Sequence, residues 1–170
     1  MKKAFMFLSC ILLSLPVFPK TIYETFDYLV NEADLIIIGQ VKSGKIIESG
    51  SEYVIEINEV LKGNEHTNKI KTIQRYGLKI GMDYLFLLKK DGNVYVDFFE
   101  GMTKFEIEYD KIHDKFDNCI NIPNDIIGMD TKEFVIEKDT SSSGKLWDSN
   151  YYLLKEIKEY IKKIVQKNKL

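Results

Sequence analysis

The sequence predicts a mainly β fold, a barrel or sandwich of five consecutive strands with a helix at each end. Three observations carry that expectation. From Leu35 the apolar period changes to two and β-branched residues dominate. Turn residues then separate the apolar runs at strand spacing as far as Phe99. Both flanks show the i, i+3, i+4 stripe of an amphipathic helix instead.

Thr21 to Ala33 reads as a short helix, with Thr21 and Glu24 as a capping box and Ile22, Phe26, Leu29, Val30 and Ala33 on one stripe. A long first strand runs from Leu35 to Ile47 and is bent at its glycines. After the turn Glu48–Ser51, a second covers Tyr53 to Val60, with Tyr53, Ile55 and Ile57 alternating against Glu56 and Asn58, one face buried and one wet. Lys62 and Gly63 end it. The third, Lys69 to Arg75, takes Ile70 and Ile73 as apolar anchors. A glycine-rich turn from Tyr76 to Met82 leads to the continuous apolar run Tyr84–Leu88. The Asp91-Gly92 dipeptide then marks a hairpin tip before Val94 to Phe99. A further strand is expected over Lys104 to Tyr109. The stretch 110–144 is the least periodic, with an edge strand at Glu133–Ile136 and a solvated loop at Thr140–Gly144. Leu153, Ile157, Tyr160, Ile161, Ile164 and Val165 form the stripe of a final helix over 149–167. Asp148 or Ser149 is its cap, and lysines crowd the C-terminal end, where the macrodipole favours cations.

Ahead of these elements, Met1, Lys2 and Lys3 precede an apolar run from Ala4 to Phe18 that ends among Pro16 and Pro19. Fifteen residues fall short of the roughly twenty that a spanning helix needs, so the stretch reads as a secretory signal over residues 1–20. Small residues suited to cleavage are hard to place near Lys20, which keeps an uncleaved N-terminal anchor open. Contact with a membrane is expected only in that case. The protein is thus expected to be secreted or periplasmic, as a single domain over 21–170.

Lys2, Lys3 and Lys20 are the only charges of that leader, so the 24 basic groups fall to 21 against 26 acidic ones. Removal of the leader also takes Cys10 and leaves Cys119 alone, without an intrachain disulfide. A lone cysteine can be a nucleophile or an intermolecular bridge; a small buried apolar residue is the reading preferred here.

The stretch from Ala33 through Gly39, Gln40 and Val41, then Tyr53 to Gly63 with Val60-Leu61-Lys62-Gly63, then Gly81 to Leu88 with Gly81, Tyr84, Leu85 and Leu88, resembles small exported bacterial proteins. Their barrel is similar to the tissue-inhibitor-of-metalloproteinases and netrin-like branch of the OB fold. The resemblance covers Ala33 to Phe99 and implies a five-stranded, mainly antiparallel OB-like barrel. Animal inhibitors of that branch chelate a protease zinc through an N-terminal cysteine. Here the mature start near Lys20 and Thr21 has none, so inhibition of that kind is not implied.

Candidate chemistry is sparse. Gly39 to Lys45 has the spacing of a phosphate-binding loop, yet Ile46 stands where Ser or Thr would hold magnesium, and no helix follows. A glycine-bent strand is the better reading. Asp110, His113, Asp114 and Asp117 would share one face of a helix and suit a divalent cation. Lys111 and Lys115 among them favour a solvated charged turn. A metal-dependent hydrolase using Asp110, His113 and Asp114 is the enzymatic alternative. His66 and His113 are the only histidines, and neither lies in a nucleophile context. No catalytic residue, cofactor or metal site is therefore assigned.

An OB-like barrel also suggests nucleic acid, and Tyr53, Tyr84, Phe86, Tyr95, Phe98 and Phe99 supply aromatics. A single arginine, Arg75, and net acidity argue against a phosphate-tracking groove. The lysine-rich final helix suits packing on the barrel better than an anionic membrane. The expected function is an exported, non-enzymatic module that binds a protein, a glycan or another envelope component through loops at the barrel rim. A membrane-tethered structural protein is the third possibility.

Overall fold

The computed structural model describes residues 25–99, 103–109, 118–123, 135–138 and 149–168. The expected leader, the capping pair Thr21 and Glu24, the loop Thr140–Gly144 and Asp148 lie outside these residues. Within them the chain is mainly β, with a short helix before the strands and a longer one after them.

Helix α1 spans Phe26–Glu32. Its N-cap is Thr25, whose hydroxyl accepts from the Tyr28 amide at 3.1 Å, while Asp27 in the first turn suits the positive end of the dipole. Strands follow at Leu35–Ile47 (β1), Gly50–Lys62 (β2), Lys69–Gln74 (β3), Asp83–Asp91 (β4) and Val94–Val96 (β5). Each neighbour pair among them is antiparallel except β3 with β5, where Thr72 faces Tyr95 and Ile73 faces Val96 in parallel. The order β1-β2-β3-β5-β4 closes on itself, because Leu35–Gln40 of β1 also pair with Asp83–Leu88 of β4.

Beyond this five-stranded ring the sheet continues. β6 (Lys104–Tyr109) pairs with β4, then come β7 (Asn118–Pro123), β9 (Ser149–Leu153) and, at the edge, β8 (Val135–Lys138). Helix α2 (Leu154–Lys167) completes the described chain.

β1 and β4 explain why their sequences run apolar without a break. Leu35, Ile37 and Val41 of β1 join Tyr84, Phe86 and Leu88 of β4 in the ring interior, with Tyr53, Ile55 and Ile70. Ile36 and Ile38 alternate with them and join Leu85 and Leu87 in a second core. That core holds Phe26, Leu29 and Val30 of α1, Phe105 and Ile107 of β6, and Ile157 and Ile161 of α2. A strand buried on both faces reads as a continuous apolar run.

Five expectations are corrected. Ser149–Leu153 form a strand, and α2 starts at Leu154 behind Leu153, which supplies no side-chain cap. Main-chain pairing on both sides, to β7 and to β8, overrides the helical stripe there. β7 is a strand inside the stretch 110–144 expected to be the least periodic, while β8 overlaps the edge strand expected at Glu133–Ile136, of which Glu133 and Phe134 lie outside the described residues. β5 stops at Val96, since the Asp97 carboxylate accepts from the Phe99 amide at 3.1 Å and from the Thr103 hydroxyl at 2.6 Å, turning the chain. In β3 the inward partners of Ile70 are Thr72 and Gln74, both fully buried, while Ile73, an odd number of residues away, is only half-buried. The Gln74 amide donates to the Thr72 hydroxyl at 2.8 Å. Asp91 pairs with Val94, so the β4–β5 turn is Gly92-Asn93 instead of Asp91-Gly92.

Candidate binding rim

Residues singled out for chemistry are scattered. Asp110, His113, Asp114 and Asp117 lie outside the described residues, and no cluster of metal-ligating side chains occurs among the described ones. His66 is exposed in the β2–β3 loop. Gly39 to Lys45 sit within β1, which excludes a phosphate-binding loop there, since that motif must leave its strand and open a helix. Cys119 is buried, its thiol 3.4 Å from the Glu108 carbonyl oxygen. Tyr53, Tyr84 and Phe86 are core residues, and Tyr95, Phe98 and Phe99 are half-buried against the two cores.

What the fold does build is a rim. The start of β2, the ends of β1 and β3 and the start of β4 lie at one end of the ring, where the β3–β4 loop, residues 75–82, crosses between strands. Two core tyrosines fix this loop from below. The Tyr53 hydroxyl accepts from the Leu78 amide at 2.9 Å, and the Tyr84 hydroxyl accepts from the Lys79 amide at 3.1 Å. Burial pushes the Tyr84 phenol up, so it stays protonated and its proton points to Glu106 at 3.4 Å. Glu106 in turn takes the Lys79 ammonium at 2.9 Å, which holds that lysine above its usual range.

From the side, β1 adds backbone bonds: the Val41 amide donates to the Met82 carbonyl at 3.0 Å, and the Gly81 amide donates to the Val41 carbonyl at 2.7 Å. The Gln40 side chain donates to the Gly81 carbonyl at 3.0 Å. Lys104, whose ammonium is pushed down by partial burial, donates to the Tyr76 carbonyl at 2.8 Å and lies 5.7 Å from the centre of its ring.

Despite this anchoring, the rim leaves large apolar groups in water. Tyr76 is 53% and Ile80 64% exposed, and Ile46, near the tip of the β1–β2 hairpin, is 91% exposed. Ile46 lies opposite Ser51, which lies opposite Gln74, so it continues the inner face of the sheet past the closed part of the ring. A backbone held this firmly presents its apolar side chains with little further ordering to be lost on binding. Sequence reasoning passed over Tyr76 and Ile80 because they stand in a glycine-rich turn without periodicity. Their signal was an aromatic and a β-branched residue where turns are normally polar.

At the opposite end of β2 a cleft of about 490 Å³ is lined by Asn31, Asp34, Lys62, Asn64 and Asn168 among others. Lys62 occupies itself with the C-terminus of α1, donating to the Val30 and Asn31 carbonyls at 2.9 and 2.7 Å, a structural cap. Compared with protein-family models and with curated proteins, the sequence matches none.

Proposed function

We propose that the chain is an exported, non-enzymatic binding module, an OB-like barrel whose rim engages a protein of the cell envelope. The ring order, with β4 returning to β1 and β3 parallel to β5, supports the barrel reading. Export rests on the leader pattern of residues 1–20. The observation that carries the binding reading is the hydrogen-bonded loop 75–82 presenting Tyr76 and Ile80, with Ile46 exposed near the tip of the β1–β2 hairpin. Two of these three groups are aliphatic, which suits a protein surface better than the hydroxyls of a glycan.

The test is capture from envelope extract by the immobilised mature chain and by a Tyr76→Ser/Ile80→Ser double variant. The wild-type chain is expected to retain a partner that the variant captures at least tenfold less, with thermal midpoints alike. A wild-type chain that retains nothing, or a variant that retains the same proteins equally well, defeats the reading.

A further inference from the structure

Pairing with β4 covers only the first half of β1, Leu35–Gln40. Val41 is then satisfied by Gly81 and Met82. From Lys42 onward β2 is the only described strand beside β1, and the residues from Lys42 to Ile46 are all exposed. A bulge between Val41 and Ser43 resets the alternation at this point. The hairpin closes through the pair Ile47 and Gly50 around a two-residue turn, so Ile47 and Lys45 exchange hydrogen bonds with β2. Gly44 and Ile46 therefore turn their N–H and C=O groups away from β2, toward an edge that no described strand covers.

We propose that this edge, from Lys42 to Ile47, takes an extended acidic segment of a partner protein as an added strand. The inference rests on the rim-binding reading and gives it a mode, β-strand addition. Charge names the partner: Lys42 and Lys45 are the ionisable residues of the edge, and the first carboxylate after them is Glu48 in the turn. Their ion-pair partners, Glu56 at 2.5 Å and Glu52 at 3.1 Å, stand on β2, one strand further from an incoming chain. The strand that an arriving segment would pair with thus carries cations alone, and the acids stand one strand behind it.

Shape names its pattern. Gly44 and Ile46 share the sheet's inner face with Tyr53, and the Tyr53 ring is packed over Gly44, where a Cβ would lie 2.5 Å from it. An apolar residue opposite Gly44 would rest beside the Ile46 side chain and close to that ring, with acidic residues alternating onto the lysine face. Lysines and a bulge also serve to repel stray strands. An edge built only for repulsion has no use for an isoleucine 91% exposed.

The probe is an acetylated, amidated seven-residue peptide alternating valine with glutamate, compared with its valine–lysine counterpart, and the readout is amide hydrogen exchange of the mature chain. The glutamate peptide is expected to slow exchange at Gly44 and Ile46 at least tenfold, and to bind at least tenfold tighter than the lysine peptide. Ile46→Pro removes one edge donor without touching the β2 ladder and is expected to abolish the protection. Lys42→Glu/Lys45→Glu is expected to invert the peptide preference, which a mere loss of folding would not do. Unchanged exchange at Gly44 and Ile46 overturns the proposal. Protection confined to Tyr76–Ile80 overturns it while leaving the rim reading in place. Dimerisation abolished by Ile46→Pro would assign the edge to a second copy and overturn the acidic segment as its occupant.

Discussion

At Gly39 a Cβ would stand 2.6 Å from Ile55 Cγ2 and 2.8 Å from the Glu56 carbonyl oxygen, closer than atoms can approach. The carbonyl belongs to the neighbouring strand of the ring, so relief requires β1 and β2 to part where both are paired. At Gly44 the obstacle is the Tyr53 ring, a side chain with somewhere to go. The two glycines that imitate a phosphate-binding motif in the sequence thus have a packing cause, and the first is the more costly to replace. Gly39→Ala is expected to lower the unfolding free energy by about 1–3 kcal/mol, the range for overpacking a filled site, as measured by urea denaturation. A variant as stable as the wild type would show that β1 can shift freely at this point. Nothing in the local sequence reveals this, because Ile55 and Glu56 become neighbours of Gly39 only through the β1–β2 register.

The β2–β3 connection is held by one acid. Glu65 Oε1 accepts from the His66 and Thr67 amides at 3.0 and 3.1 Å and from the Thr67 hydroxyl at 2.9 Å, while Oε2 accepts from the Tyr95 hydroxyl of β5 at 2.9 Å. The bonds from Thr67 and Tyr95 hold the Glu65 carboxyl below its usual 4.5. Burial, and then the bond to Glu65, push Tyr95 up to about 12. A depressed acid stabilises the fold fully above pH 4.5 and loses that contribution as pH falls through the folded value. A raised phenol contributes fully below pH 10 and loses its share as pH rises toward 12. Glu65→Gln is therefore expected to shallow the decline of the thermal midpoint below pH 4.5, and Tyr95→Phe to shallow the decline above pH 10. Glu52 and Glu56, also held low by lysines, leave part of the acid slope in place. Identical pH profiles for wild type and variants would remove the clasp from the account.

The elements themselves were unevenly legible. β1, β4 and β6 follow from apolar runs and alternation carried in their own residues. β7 and β9 do not, because Cys119 faces Leu153 and Ile120 faces Tyr152 across more than thirty positions of chain, and a helical stripe at Leu153 gives no hint of that pairing. The rim was legible only as a place, since exposure of Tyr76 and Ile80 depends on what the tyrosines beneath hold fixed.

For the whole molecule, the arrangement of β1 and β4 decides how it unfolds. Both strands serve two cores at once: Phe86 packs inside the ring and Leu87, the next residue, packs outside it with α1, β6 and α2. α2 is tied to the ring's outer face by Ile157 and Ile161, fully buried, and by Lys158 and Lys162 on Glu59 of β2. Tyr160 also reaches Asp27 of α1 at 2.6 Å. Neither core can dissolve while the other keeps β1 and β4 in place. Leu87→Ala is expected to cost about 2–5 kcal/mol and Phe86→Ala about 3–5 kcal/mol, the usual range for emptied core sites. Each should lower one shared transition, so that amide exchange at Ile55 in the ring and at Ile161 in α2 accelerates by the same factor in either variant. If Leu87→Ala released Ile161 and left Ile55 protected, the ring would be an independent folding unit. α2 and the outer strands would then be an addition to the ring, with no share in the stability of the rim.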